Sequence, residues 1–195
     1  MARHSKEATA QSRARIVKEA ARLFRLKGYK GANLDDVMRG AGLTVGTFYA
    51  HFPSKAALLA EAMFYGSQNA HAHLAKSPQH LQLQGRAWFK KFIESYISEK
   101  HRDSVELGCT LPSLISEISR GGPEVQKILE DRIFKNLQSK AGGNPSGKKI
   151  SRDQILACFS LAIGAVALSR AVYSKKFSNQ IIQAARKLSK KGLQK

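Results

Sequence analysis

The sequence predicts an all-α protein of about nine helices, with an N-terminal three-helix helix-turn-helix part followed by a larger helical part. Three observations predict it. Apolar residues recur at spacings of three and four along most of the chain, and no segment sustains the period-two alternation of a strand. Gly, Pro, Ser, Thr and Asn punctuate these runs where helices would start and stop.

Residues 12–27 place Ile16, Val17, Ala20, Leu23 and Phe24 on one face, with most of the arginines elsewhere, and Gly28 supplies a stop. Asn33 is the expected N-cap of the second helix, with Asp35 and Asp36 in the first turn where the helix dipole favours negative charge. Gly40 and Gly42 end it. Thr44 is the next expected cap, opening "VGTFYAHF", and Pro53 closes that helix because the residue before a proline is pushed out of helical geometry. Ser54 caps a fourth helix.

Farther along, "RAWFKKFIESYISEK" carries Phe89, Phe92, Ile93, Tyr96 and Ile97 on one helical face. A short helix is expected around 110–119, and another opens at Pro123. The stretch "AGGNPSGKK" at 141–149 reads as a linker. Ser151 with Gln154 has capping-box spacing for a long helix reaching about Tyr173. The last helix is expected to start at Ser178, stapled by Phe177 and Ile182, and to end near Gly192.

Lys and Arg number 33 against 14 acidic residues, a net charge of +19, which implies a polyanionic partner: nucleic acid first, an anionic membrane second. The excess concentrates at the ends, +7 over residues 1–60 and +8 over 151–195 against +4 between them. Cys109 and Cys158 have no C-x-x-C spacing and sit among apolar residues, which reads first as two small buried hydrophobes, with a redox-switch disulfide as the alternative. His71 and His73 would point to opposite sides of a helix, so no metal site is expected. Ser146 and Lys149 have the spacing of one nucleophile motif but no partner base, and "SGKK" lacks the context of a phosphate loop, so neither catalysis nor a cofactor is expected. "MARHSKEATAQSRAR" lacks the apolar core of a secretory signal, and the 14-residue apolar run at 155–168 is short for a bilayer; a cytoplasmic protein follows as the expectation.

Two short helices joined by a Gly-containing turn define a helix-turn-helix, whose second helix enters the DNA major groove. In that frame Thr44 and Thr47 can meet base edges or phosphate, Gly46 lets the backbone approach closely, and Tyr49 and His51 offer donors to phosphate oxygens. Lys55 adds positive charge in the first turn of the next helix. Phe48 and Phe52 are expected to be inward anchors.

The run "ARIVKEAARLFRLKGYKGANLDDVMRGAGLTVGTFYAHFPSKAALL" resembles the TetR/AcrR family of transcriptional regulators, matching its I..aA..lF...G opening, its dIa..aGvs.gtlY.hF core and its sK..Ll close. The resemblance covers roughly a quarter of the chain and is weak past about residue 75. It implies an all-helical homodimer with a DNA-binding part, residues 9–55, and an effector-binding and dimerisation part, residues 56–195. It also implies that Thr44, Val45, Gly46, Thr47, Tyr49, His51 and Lys55 face double-stranded DNA. Ala32, Asn33 and Met38 depart from the family's usual residues; Asn33 still caps and is kept among the DNA-facing candidates.

The same resemblance implies pairing through the helices around 152–173 and 178–191, so that two recognition helices meet a palindromic operator ~34–36 Å apart. Phe64, Trp88, Phe92, Tyr96, Cys109 and Phe134 are candidates to line a pocket for an unknown small-molecule effector, which the basic charge favours as anionic or neutral. Helix four, shared by both parts, is the expected lever between effector and DNA. The competing reading is a basic helical protein that binds anionic membranes or nucleic acid without sequence specificity.

Overall fold

The computed structural model describes residues 2–74, 85–141 and 150–193, and every regular element among them is helical. These are α1 (Ala2–Gly31), α2 (Leu34–Gly40), a 3-10 turn (Val45–Thr47), α3 (Phe48–His51), α4 (Lys55–Leu74), α5 (Gly85–Tyr96), α6 (Glu99–Asp103), α7 (Leu111–Ser119), α8 (Pro123–Ala141), α9 (Arg152–Ala171) and α10 (Lys175–Gly192). The expected 141–149 linker lies outside the described residues apart from Ala141, as do the side chains of His71 and His73.

The chain forms two compact units, one of Met1–Asn69 with Cys109–Leu129 and the other of Ala70–Gly108 with Glu130–Lys195. In the first unit α1 packs against α2 and α7. Its core gathers Ile16, Ala20, Phe24, Val37, Met38, Leu58, Leu59, Leu114 and Ile118, all at most 2% exposed. Helix α1 begins ten residues before the expected start at residue 12, and it is interrupted at Gly28, where φ is 76°. That left-handed angle is open to glycine at little cost, which is why a stop was legible at this position.

The second unit is organised by the packed pair α9 and α10, with α5 and α6 against them. Ser151 and Gln154 form the expected capping box. The start of the last helix differs from expectation. Its cap is Ser174, whose hydroxyl accepts from Phe177 N at 3.3 Å, while Ser178 lies inside α10, is buried, and donates to the Ser169 carbonyl at 2.6 Å. Phe177 is 53% exposed in the first turn of α10.

Helix α6 is the element beyond the nine expected. Its residues, Glu-Lys-His-Arg-Asp, carry no apolar period, so only tertiary contacts reveal its role. Ser98 caps it, and Arg102, 3% exposed, is its anchor. The Arg102 guanidinium grips Asp103 through two bonds (2.7 and 3.0 Å) and donates to Ser178 Oγ (2.9 Å) and Asn179 Oδ1 (2.6 Å). Arg170 of α9 returns bonds to the carbonyls of Arg102 and His101, at 3.0 and 2.8 Å. The result is a polar bolt through the α6, α9 and α10 packing.

The Arg102 fork, with Lys175 behind it, holds the Asp103 carboxyl down at about 2. Because this is below the ordinary 3.8, Asp103 contributes stability that is complete above about pH 4 and lost as pH falls towards 2. Acid titration followed by circular dichroism should therefore show wild type losing stability, relative to neutral pH, across that window. Asp103→Asn should start less stable and show a correspondingly smaller loss.

Helix α9 also corrects a reading of the sequence. Its 20 residues, with a mean hydropathy of 1.6 over the richest window, are long and apolar enough to cross a membrane by length and composition. The 14-residue run understated it because the helix continues at both ends. In the structure it buries Ile155, Cys158, Ala162, Ala165, Val166 and Ser169 and packs against α10, α5 and α6. Cys158 and Cys109 are both buried free thiols, and burial pushes the Cys158 thiol up.

Candidate nucleic-acid interface

Local chemistry builds this surface one turn at a time. Asn33 caps α2 by accepting from Asp36 N at 2.7 Å. Gly42, at φ 70°, turns the chain out of α2, and the 3-10 turn follows. Thr44 holds the N-cap position, but its side chain makes no cap bond; instead Thr47 N and Thr47 Oγ1 both donate to the Thr44 carbonyl, at 3.1 and 2.8 Å. The expected single recognition helix is thus a 3-10 turn running into one α-turn, Phe48–His51.

Phe48 and Phe52 fix this element from beneath, as expected. They are 0% and 1% exposed, stack on each other at 5.9 Å, and belong to the core of the first unit. Arg13 lies over the Phe52 ring at 4.3 Å and pairs with Glu61 on α4. What remains outward is Thr44, Val45, Gly46, Thr47 and Tyr49, all exposed, with Tyr49 at 72%. A Cβ added at Gly46 would meet nothing within 4 Å. Folding therefore sets no steric demand for glycine at this position, and the open space lies on the outside of the recognition turn.

His51 is half-buried, and its Nδ1 is enclosed without a hydrogen-bond partner among the described residues. Lys55 follows the Ser54 cap, whose Oγ accepts from Ala57 N at 3.0 Å. Lys55 is also half-buried, with Nζ 4.8 Å from the centre of the Tyr29 ring. Burial pushes its ammonium down, while Glu117 pushes it back up. The sequence placed Lys55 in the first turn of α4; the aromatic seat supplied by Tyr29 was not legible, because Tyr29 follows the break at Gly28 and lies out of phase with the helix before it.

Several cations around the turn are already paired: Arg22 with Glu19, and both Lys27 and Arg39 with Asp36. Arg15 is different. It is exposed, in no ion pair among the described residues, and its Nη1 lies 3.4 Å from where a Cβ on Gly42 would stand. Sequence reading missed it. The signal was its position four residues before Glu19, which lies against Gly40 at the end of α2 and so fixes which face of α1 meets the turn.

The effector candidates divide between the units. Trp88, Phe92 and Tyr96 form one aromatic row along α5 in the second unit, at 5.2 and 5.5 Å between rings, joined by Phe89 and Phe159, which were not among the candidates. Phe64, 46% exposed, and buried Cys109 lie in the first unit. The side chain of Phe134 lies outside the described residues.

Comparison with known proteins agrees with this geometry. Residues 16–62 match the family model described as bacterial regulatory proteins, tetR family. Over 79 residues the chain is 35% identical to the HTH-type transcriptional regulator TtgR of Pseudomonas putida, an alignment covering 40% of this chain and 37% of TtgR. The chain thus spans little more than a third of the length of that curated relative. A 24% identity over 132 residues links it to an HTH-type transcriptional regulator of Lactococcus lactis, covering 68% of this chain and 67% of that one. Among solved structures, a TetR-family regulator from Cytophaga hutchinsonii superposes with a TM-score of 0.66 at 21% identity, covering 93% of this chain and 94% of that chain. One from Streptomyces coelicolor gives 0.59 at 19%, covering 97% and 94%. The whole-chain fold is that of TetR-family regulators, and the resemblance read from residues 14–59 is upheld.

Proposed function

We propose that this protein is a transcriptional repressor that binds a palindromic operator as a homodimer and is released by a small-molecule effector. The observation that carries the reading is the recognition turn: exposed Thr44, Val45, Gly46, Thr47 and Tyr49, anchored from beneath by two buried phenylalanines, Phe48 and Phe52, and open to an external partner at Gly46. A +19 chain presenting such a turn suits duplex DNA, with Thr44, Val45 and Thr47 at the bases and Tyr49, His51, Lys55 and Asn33 toward phosphates. Thr47 gives its hydroxyl proton to the Thr44 carbonyl, so it would meet a base edge as an acceptor. Arg15 extends the phosphate surface beside the turn.

Dimerisation is assigned to α9 and α10. Leu168, Phe177 and Leu188 are each more than half exposed on this pair, and Gly164 leaves room for a close helix approach. The first unit is then the DNA-binding part, and the second carries pairing and effector binding, with the α5 aromatic row as the pocket wall. A cytoplasmic location fits this role.

Selection from a pool of random duplexes tests the reading: enrichment of an inverted repeat with half-sites about one helical turn apart supports it. Retention of duplexes without any enriched sequence would favour the non-specific basic protein instead, and α9, apolar enough to enter a bilayer, makes vesicle co-sedimentation the matching control. Lys55→Ala should weaken binding to all duplexes and flatten the salt dependence by about one unit, checked by titrations across salt concentrations.

A further inference from the structure

We infer that Glu117, on α7, is a positioning residue that holds the Lys55 ammonium back over Tyr29 and so opposes its transfer to a DNA phosphate. This rests on the reading of Lys55 as a phosphate contact. Two contacts in the first unit fix the Glu117 carboxylate at the residues that flank Tyr29, and Tyr29 in turn seats Lys55. Its Oε2 accepts from Lys30 N at 2.9 Å, fixing it against the segment that follows α1's break. Its Oε1 lies 2.0 Å from where a Cβ on Gly28 would stand, so the carboxylate fills the space that the glycine leaves. Between those two contacts in sequence lies Tyr29, whose ring carries Lys55 Nζ at 4.8 Å.

The carboxylate is thus held by backbone at the residues flanking the ring that seats Lys55, where its negative charge partly offsets the burial that disfavours the charged ammonium. Lys30 is exposed and offers its backbone N–H, not its ammonium, to the carboxylate. Glu124, the carboxylate whose charge reaches Tyr29, is exposed at the start of α8. A phosphate arriving at Lys55 therefore competes with a fixed internal anion. Part of the ammonium's attraction is already engaged before DNA arrives.

Glu117→Gln is the informative variant, because the amide oxygen can still accept from Lys30 N while the charge is gone. Binding of mixed-sequence duplex DNA should tighten about two- to fivefold, and the melting temperature should stay near that of wild type. The gain should vanish in the Lys55→Ala background, a coupling that a purely structural role would not produce. Glu117→Asp, which keeps the charge, should bind close to wild type. Equal or weaker binding by Glu117→Gln, or a gain that persists without Lys55, would overturn the inference while leaving the regulator reading intact if wild type binds duplex DNA. A wild-type protein that binds no duplex would sink both.

Discussion

Phe48→Ala should destabilise the first unit by about 3–5 kcal/mol and abolish operator binding at temperatures where wild type is folded. The side chain is wholly enclosed, stacks on Phe52 and meets Tyr49 edge-on at 5.1 Å. The recognition element is only one 3-10 turn and one α-turn long, far below the length at which a helix holds itself in water, so its shape depends on this anchor. Removing the ring opens a cavity directly beneath the residues assigned to DNA. Denaturant unfolding and duplex titration of the same variant would check both effects. Phe48→Leu should recover most of the stability but leave a measurable affinity loss, because the turn's orientation depends on the ring's shape.

Arg102→Met should cost the second unit about 3–5 kcal/mol. Methionine fills comparable volume but leaves Ser178 and Asn179 without the donors that satisfied them, and frees Asp103 from its fork. Lysine should not rescue it, since an ammonium cannot grip a carboxylate with two parallel bonds while also reaching α10. Ser178→Ala should cost only about 1 kcal/mol, because the rest of the network persists. If Arg102→Met unfolded at the wild-type denaturant midpoint, the bolt would be mere decoration of a packed apolar interface.

Features that are local in sequence were legible, and features that depend on distant partners were not. Asn33, Ser54 and the Ser151–Gln154 box announce themselves because a cap satisfies amides two or three residues away. Phe48 and Phe52 were assigned inward because their spacing places them on one face of a short helix. Helix α6 was invisible because its stability resides in Arg102 bonds to residues 76 and 77 positions away. Ser178 looked like a cap for the same reason that it makes a good interior bond: a short hydroxyl serves a free amide or a free carbonyl equally well. Arg15 and the aromatic seat of Lys55 were missed because the sequence shows which residues carry charge but not which neighbours surround them.

The vacancy beside Gly46 has a practical corollary. Most positions that contact a macromolecular target also serve their own scaffold, so retuning recognition usually risks unfolding the protein. Here an added Cβ would meet no atom of the host within 4 Å. Libraries randomised at that single site should therefore stay soluble and folded, which separates changes in sequence preference from simple loss of protein.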